Sequence, residues 1–417
     1  MNKIERFVYD IVKSSPWWKN SFRNIYQKCF DLMPRKKNFF YGQIDVKQGY
    51  FFGFHDISPI SDDECKVLAN KPTVYLTMPK PSDSLEVGFF NFKNGKIHEY
   101  ISCSISQAWN HHKGCRLQWL SDIEFIFNNS YNGKLASTIY NIETSVEKII
   151  EFPIDTVHRK NRIATSFSYE RLEKLMPGYG YPYSDESYLE SNVPENTGLF
   201  LIDLEGNTRK LLVSLRELVE EQNNSNLFNY RHYVTHSEFS KDGRYISFLH
   251  RWVGDDVMKR WSRLIVYDLN NRSFFELPTS GMVSHYVWNN LNQIIAYCGV
   301  NGVDGHFLFD IPNVSTHKHI APKILNSDGH QSFISDETFI TDTYPDKYRM
   351  AKLYSVNIPN ESVDLIASVY SPKKYQSIFP YKHIACDLHP RVSPLGNYVC
   401  FDTVFPGIRS IAVMKMN

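Results

Sequence analysis

The chain has 417 residues, enough to bury a large core without disulfide or metal staples, either as about three ordinary domains or as one large all-β domain. Lys+Arg 46 against Asp+Glu 45 leaves a net charge of +1, which argues against a nucleic-acid binder, since wrapping a polyanion takes a large positive excess. No run of about 18 uncharged apolar residues occurs, so no transmembrane helix is expected.

Residues 1–40 differ from the rest. They carry nine Lys/Arg against three acids, a local charge of +6 that the remainder offsets with −5. Ile4, Phe7, Val8, Ile11 and Val12 recur at helical spacing, and Trp17, Trp18, Phe22, Ile25, Tyr26 and Phe30 continue an apolar face. Two short amphipathic helices are expected. They either pack on the main domain or rest on anionic lipid as a peripheral membrane contact. The segment has no signal-peptide h-region or small-residue cleavage site. The seven cysteines are odd in number and lack metal-ligand spacing. Both features predict a reducing, cytoplasmic location with the cysteines as small buried hydrophobes.

From residue 41 to 417 the texture is all-β. Strand-like runs such as VYLTM, EVGFFNF, LFLID, LIVYDL, IIAYCG and YVCFDT alternate with turn signals, among them Asn94-Gly95, Asn132-Gly133 and Asp242-Gly243. The clearest helical stretch inside this region is LLVSLRELVEEQ at 211–222. The strands form longer repeats, beginning HSEFSKDGRYISFLHRW, SHYVWNNLNQIIAYCGV, GHQSFISDETFITDTYP and LHPRVSPLGNYVCFDTVFPG. Three weaker copies precede them, FGFHDISPISDDECKVLA, CRLQWLSDIEFIFNN and IATSFSYERLEKL, which makes seven units. A period of about 40–50 residues with several strands per unit predicts a seven-bladed β-propeller, because one four-stranded sheet cannot bury both faces and must stack in a closed ring.

The repeats place a polar residue at the head of each innermost strand. His236, His285, His330 and His389 lead four consecutive units, spaced by 49, 45 and 59 residues, with His55 and Arg116 in comparable places. In a propeller these would converge on one rim, either as a functional centre or as a repeated structural bond to the neighbouring blade. Asp387, His389 and Arg391 would share one face of an extended strand, a set suited to a metal or an anionic sugar. His111 and His112 are adjacent, so on a strand they would face opposite ways, and only a loop would let them act together. The loop PGYGYP at 177–182 lacks the Lys-Ser/Thr of a phosphate cradle and reads as a rim-lining turn.

The pieces HSEFSKDGRYISFLH, SHYVW, GHQSFISD and HPRVSPLGNYVCFD resemble the oligogalacturonate lyase type of seven-bladed propeller, and more loosely the ulvan lyases. WNHHKGCRLQWL, MPGYGYP and TDTYPD resemble a wider bacterial group of propellers encoded with surface-polysaccharide enzymes, and the xDG turns are shared with TolB-like propellers. The lyase resemblance implies a manganese-type divalent metal held by histidines and a glutamine, with a histidine base and an arginine. His285 and His389 take ligand-like positions, Asp387 stands where the family has another histidine, Ile384 falls at the glutamine, and His250 matches the base.

The chemistry implied is β-elimination from an acidic oligo- or polysaccharide. A near-neutral base removes the C5 proton of a uronate, an arginine or metal stabilises the developing charge, and an acid protonates the leaving oxygen. The catalytic candidates are His250, His236, His330, Arg251 and Arg391; the substrate-binding candidates are Arg116, His55, Tyr181 and Tyr344, with Tyr179 in the same loop as Tyr181; the metal candidates are His285, His389 and Asp387. The competing expectation is a non-catalytic glycan-binding or assembly propeller in capsule or O-antigen production, since propellers host both.

Overall fold

A computed structural model describes residues 30–31, 33–183, 189–378 and 382–416. The helices expected over 1–40 fall almost wholly outside these residues. The described chain forms seven antiparallel sheets arranged as the blades of a propeller. Five sheets have four strands, one has five, and one has three.

Blade 1 contains Lys66–Pro72, Leu85–Lys93 and Lys96–Ser106. Its innermost position is taken by the segment 51–60, tied to the blade by bridges at Phe51–Asn70 and Ile60–Val67. Blades 2 to 6 follow in chain order, their innermost strands being Gln118–Trp119, Val157–His158, Arg231–Phe239, Val283–Trp288 and Gln331–Ser335 in sheets that run outward strand by strand, except that in blade 3 a short helix intervenes. That helix, Tyr169–Leu175, is capped by Ser168, whose side chain accepts from the Arg171 N–H.

Both ends of the chain build blade 7. Ile44–Gln48 is its outermost strand and pairs with Ser410–Lys415, from Ile44 opposite Met414 to Gln48 opposite Ser410. Pairing this early strand into the last blade ties the last blade to the chain that leads into the first. Phe39 and Phe40 pair beside Ser368 and Ala367 on the outer edge of blade 6. Strand pairing therefore starts two residues ahead of the boundary read from the sequence.

One segment differs in type from its expected form. The stretch 211–222 was expected as one helix, but Thr208–Ser214 is the outer strand of blade 3 and only Leu215–Glu220 is helical. Ser214 and Glu217 explain the break, since they form a reciprocal capping box that starts the helix at Leu215.

Alternating strand residues fill the gaps between blades. Trp109, Trp119 and Trp288 are fully buried. Their indole N–H groups find acceptors, Trp119 at the Pro59 carbonyl (2.8 Å) and Trp288 at the Ser247 hydroxyl (2.7 Å). Among the described residues, no helix is long and apolar enough to cross a membrane.

Candidate active site

The residues heading the innermost strands meet in the central channel. Going round from blade 1 they are His55, Arg116, Asp155, His236, His285, His330 and His389, all buried. Two devices turn them inward. His236, His389 and Arg116 adopt left-handed backbone conformations, with φ of 54°, 45° and 55°. Such values are uncommon away from glycine and cost of order 1 kcal/mol or more, so their recurrence marks a repeated local solution. The ladders of blades 4 and 5 also shift register beside the histidine, between Thr235 and Glu238 and between Val283 and Tyr286. A bulge of this kind re-aims a side chain.

Phe54 sits at the centre of the cluster. Its ring lies 4.8 Å from His236 and 5.1 Å from His389 between centroids. His285 and His330 approach to 4.0 Å, His330 and His389 to 4.2 Å, and His55 lies 5.2 Å from His330. Convergence therefore holds for all five leading histidines.

The rings are anchored through Nδ1. His55 donates to the Gln331 carbonyl (2.9 Å) and His389 to the Gly53 carbonyl (2.7 Å). His330 donates to both oxygens of Asp342 (2.8 and 3.0 Å), and His285 approaches Asp328 at 3.2 Å. Carbonyl and carboxylate oxygens only accept, so Nδ1 carries the proton and Nε2 is left with its lone pair or a second proton. A hydrogen bond of this type, on the ring nitrogen away from the ion, also orients metal-ligating imidazoles. The two meanings of the repeated histidine are thus compatible: one nitrogen bonds structure, often across blades, and the other remains for chemistry.

Protonation divides the cluster. Burial pushes His55, His236 and His389 well below the usual imidazole range, and His285 down to about 4. His330 is equally buried, but Asp342 outweighs that cost and raises it. One imidazole is thus pushed toward its charged form among others pushed toward neutrality.

Loops from the face above add residues. His112 stacks on Tyr179 at 4.9 Å, meets His383 at 3.9 Å and lies 6.4 Å from His389. Its partner in sequence, His111, turns away and bonds the Thr77 carbonyl at 2.9 Å. Tyr344 packs 5.8 Å from His330. Tyr179, Tyr344, His383 and Asp387 line a cavity of about 380 Å³ above the cluster. Gly178, at φ +92°, lets the loop approach, since a Cβ there would come within 2.7 Å of His383. Glu173 holds the same loop by accepting from the Gly178 N–H (2.8 Å) and the Gly180 N–H (3.2 Å).

His112, Asp387 and His389 offer ligand atoms within 4.8 Å of one another. Asp387 Oδ2 lies 3.7 Å from His112 Nδ1. Neither ring nitrogen of His112 has a hydrogen-bond partner among the described residues, although the ring is buried. Orphaned nitrogens of this kind, with two imidazoles and a carboxylate, fit a divalent transition ion. Of the three metal candidates from sequence, His389 and Asp387 belong to this group, while His285 is engaged with Asp328.

Other candidates are taken up by structural bonds around the cluster. His250 is in the wall of blade 4, where His232 Nδ1 (2.9 Å) and Arg263 Nε (3.1 Å) occupy its two nitrogens. Arg251 is buried and donates to the carbonyls of Val283 (3.0 Å) and Ser284 (3.3 Å). Arg391 donates to Gly53 O (3.1 Å) and pairs with Asp402 (3.2 Å). Arg116 forks onto Asp56 (3.0 and 2.7 Å) and meets Asp155 (3.1 Å). Tyr181 is in the core, stacked on Tyr169 at 4.5 Å, with its hydroxyl accepting from Asn128. These groups build the wall around the cluster. His112, His383 and Asp328 were not singled out for the site by sequence, because long loops deliver them.

No protein-family model and no curated protein matches the chain. Among solved structures, oligogalacturonate lyase from Vibrio parahaemolyticus aligns with a TM-score of 0.58 at 10% identity, covering 92% of this chain and 99% of that one. An oligogalacturonate lyase in complex with manganese aligns with a TM-score of 0.61 at 11% identity, over 92% of this chain and 99% of that one. TolB from Acinetobacter baumannii is a more distant likeness, with a TM-score of 0.40 at 11% identity over 90% of this chain and 97% of that one. The chain has the all-β, seven-bladed propeller fold of these lyases, and at such identities the likeness is one of fold.

Proposed function

We propose that the channel is the active site of a lyase-like enzyme that cleaves uronate-containing glycans by β-elimination. The observation that carries this reading is the pair His285 and His330, 4.0 Å apart between centroids and with their proton affinities pushed in opposite directions. Neighbouring groups with divergent pKa values are the usual acid and base of a proton-transfer site. Neutral His285 is suited to take the C5 proton of a uronate. Protonated His330, backed by Asp342, is suited to protonate the leaving oxygen. Tyr179 and Tyr344 flank the cavity above and offer faces for a sugar ring.

His112, Asp387 and His389 would hold a divalent ion of the manganese type. When bound, it would supply Lewis-acid stabilisation of the uronate carboxylate as charge develops. Oligogalacturonate lyase in complex with manganese supports this by fold alone.

The test is incubation with several uronate polymers and manganese, following the ultraviolet absorbance of an unsaturated uronate product. A rise that disappears in His330→Gln is expected. No rise with any polymer, with or without metal, would overturn the lyase reading.

A second reading, a non-catalytic glycan-binding or assembly propeller, is favoured by His250. The position matched to the lyase base is closed off by His232 and Arg263. Under either reading we place the protein in the cytoplasm, near enzymes of surface-polysaccharide synthesis. Its basic segment 1–40 would rest on the inner membrane, and its partner is an acidic oligo- or polysaccharide.

A further inference from the structure

The channel has a second mouth on the face opposite the loops. There a cavity of about 530 Å³ is lined by the far ends of the innermost strands, and His55 of the histidine cluster also borders it. That size falls within the ~300–1,000 Å³ of small-molecule sites.

Two residues lining this cavity each carry a buried side-chain atom with no hydrogen-bond partner among the described residues: Glu238 Oε2 and His158 Nδ1. Glu238 is only 7% exposed, and its other oxygen lies 3.5 Å from the Trp288 N–H. The surrounding charges mostly cancel. Asp56 is paired with Arg116 (2.7 Å) and Asp62 with Arg159 (2.7 Å). Among the described residues Lys160 and Lys241, on the rim, make no ion pair, so with Glu238 protonated the mouth is net positive. Ser58, Ser332, Asn289 and Asn290 add hydroxyl and amide groups.

We propose that this second mouth is a separate binding site for a small hydroxylated carboxylate, with Glu238 donating a hydrogen bond to the ligand's carboxylate and Lys241 balancing its charge. The donor role follows from the environment of Glu238. Burial pushes its carboxyl up to about 8, opposed by Lys241 and Arg116 and reinforced by Asp56, so it is largely protonated at neutral pH. A neutral buried carboxyl needs an acceptor, and an anion entering a positive mouth supplies one.

The test is calorimetric titration of the full chain with gluconate and with sorbitol, which lacks the carboxylate. Neither has a glycosidic bond, so the outcome is independent of the lyase reading. Gluconate is expected to bind one per chain, at least about tenfold more tightly than sorbitol. Glu238→Leu and Lys241→Ala should each weaken it by about tenfold or more, while Glu238→Gln, which keeps a donor, should retain it. Affinity should fall between pH 7 and 9 in the unmodified chain and stay level in Glu238→Gln. His389→Ala should change nothing. Absence of gluconate binding, equal binding of sorbitol, or binding that is lost in His389→Ala but kept in Glu238→Leu and Lys241→Ala would overturn the proposal.

Discussion

His285 and His330 stand 4.0 Å apart between ring centroids, each held by its own aspartate, Asp328 and Asp342. Two like rings so close cannot both charge, and the stronger aspartate contact decides which one does. Asp342 grips His330 with both oxygens and donor distances of 2.8 and 3.0 Å.

The pH profile of product formation should reflect this division. Activity should rise as His285 loses its proton near pH 4 and decline, at a pH above the ordinary imidazole value, as His330 loses its own. His330→Gln should lower kcat by about 10²–10⁴-fold and remove the alkaline limb. An unchanged alkaline limb in that variant would assign the acid to another group.

Glu173, in the helix Tyr169–Leu175, ties down the loop that carries Tyr179 and should make stability depend on pH. Burial raises its carboxyl from 4.5 to about 7, against two N–H donors that favour the anion. A raised carboxyl means the folded chain binds the proton more tightly than the unfolded chain. That contribution is complete below about pH 4.5 and is lost as pH rises to about 7. Urea unfolding from pH 4.5 to 7.5 should show stability falling across this window, and Glu173→Gln should flatten part of the fall.

Asp155 holds a buried cationic group together. Lys113 Nζ (3.3 Å) and Arg116 Nε (3.1 Å) pair with it, and the Tyr169 hydroxyl (3.0 Å) and Ser237 N–H (2.8 Å) donate to it. Asp155→Ala would leave the buried Lys113 without its ion-pair partner and Arg116 with Asp56 alone, and a loss of about 3–5 kcal/mol in unfolding free energy is expected. Arg116, expected from sequence to bind substrate, should behave likewise on replacement by methionine.

His250→Ala separates wall from site. His250 touches His232 and Arg263 and none of the channel histidines. The variant should unfold at lower urea, by about 1–3 kcal/mol, because Arg263 Nε loses its acceptor. Its kcat under native conditions should match the parent within about twofold, whereas a loss as large as that of His330→Gln would place His250 in the chemistry.

The propeller was legible because each blade repeats its own turn chemistry and alternation. The meeting of His236, His285, His330 and His389 followed from equivalent positions in consecutive blades, which register alone brings together. The loop residues obey no such rule. His112 was discounted by strand parity, but it lies in a turn, where adjacent side chains need not oppose. His383 and Asp328 reach the channel on loops that precede the innermost strands of their blades. Tyr179 and Tyr181 are two residues apart in one loop, yet one enters the cavity and the other enters the core. His250 shows the limit of alignment: a matching position in a second strand faced the blade wall instead of the channel.

The candidate metal ligands His112, Asp387 and His389 offer the most direct test. Manganese titrated calorimetrically into metal-stripped, full-length protein should bind as one ion per chain. His112→Ala and His389→Ala should each weaken binding by at least about tenfold, and His250→Ala should leave it unchanged. No binding, or equal affinity in all four proteins, would contradict a metal-assisted centre built on the histidine ring.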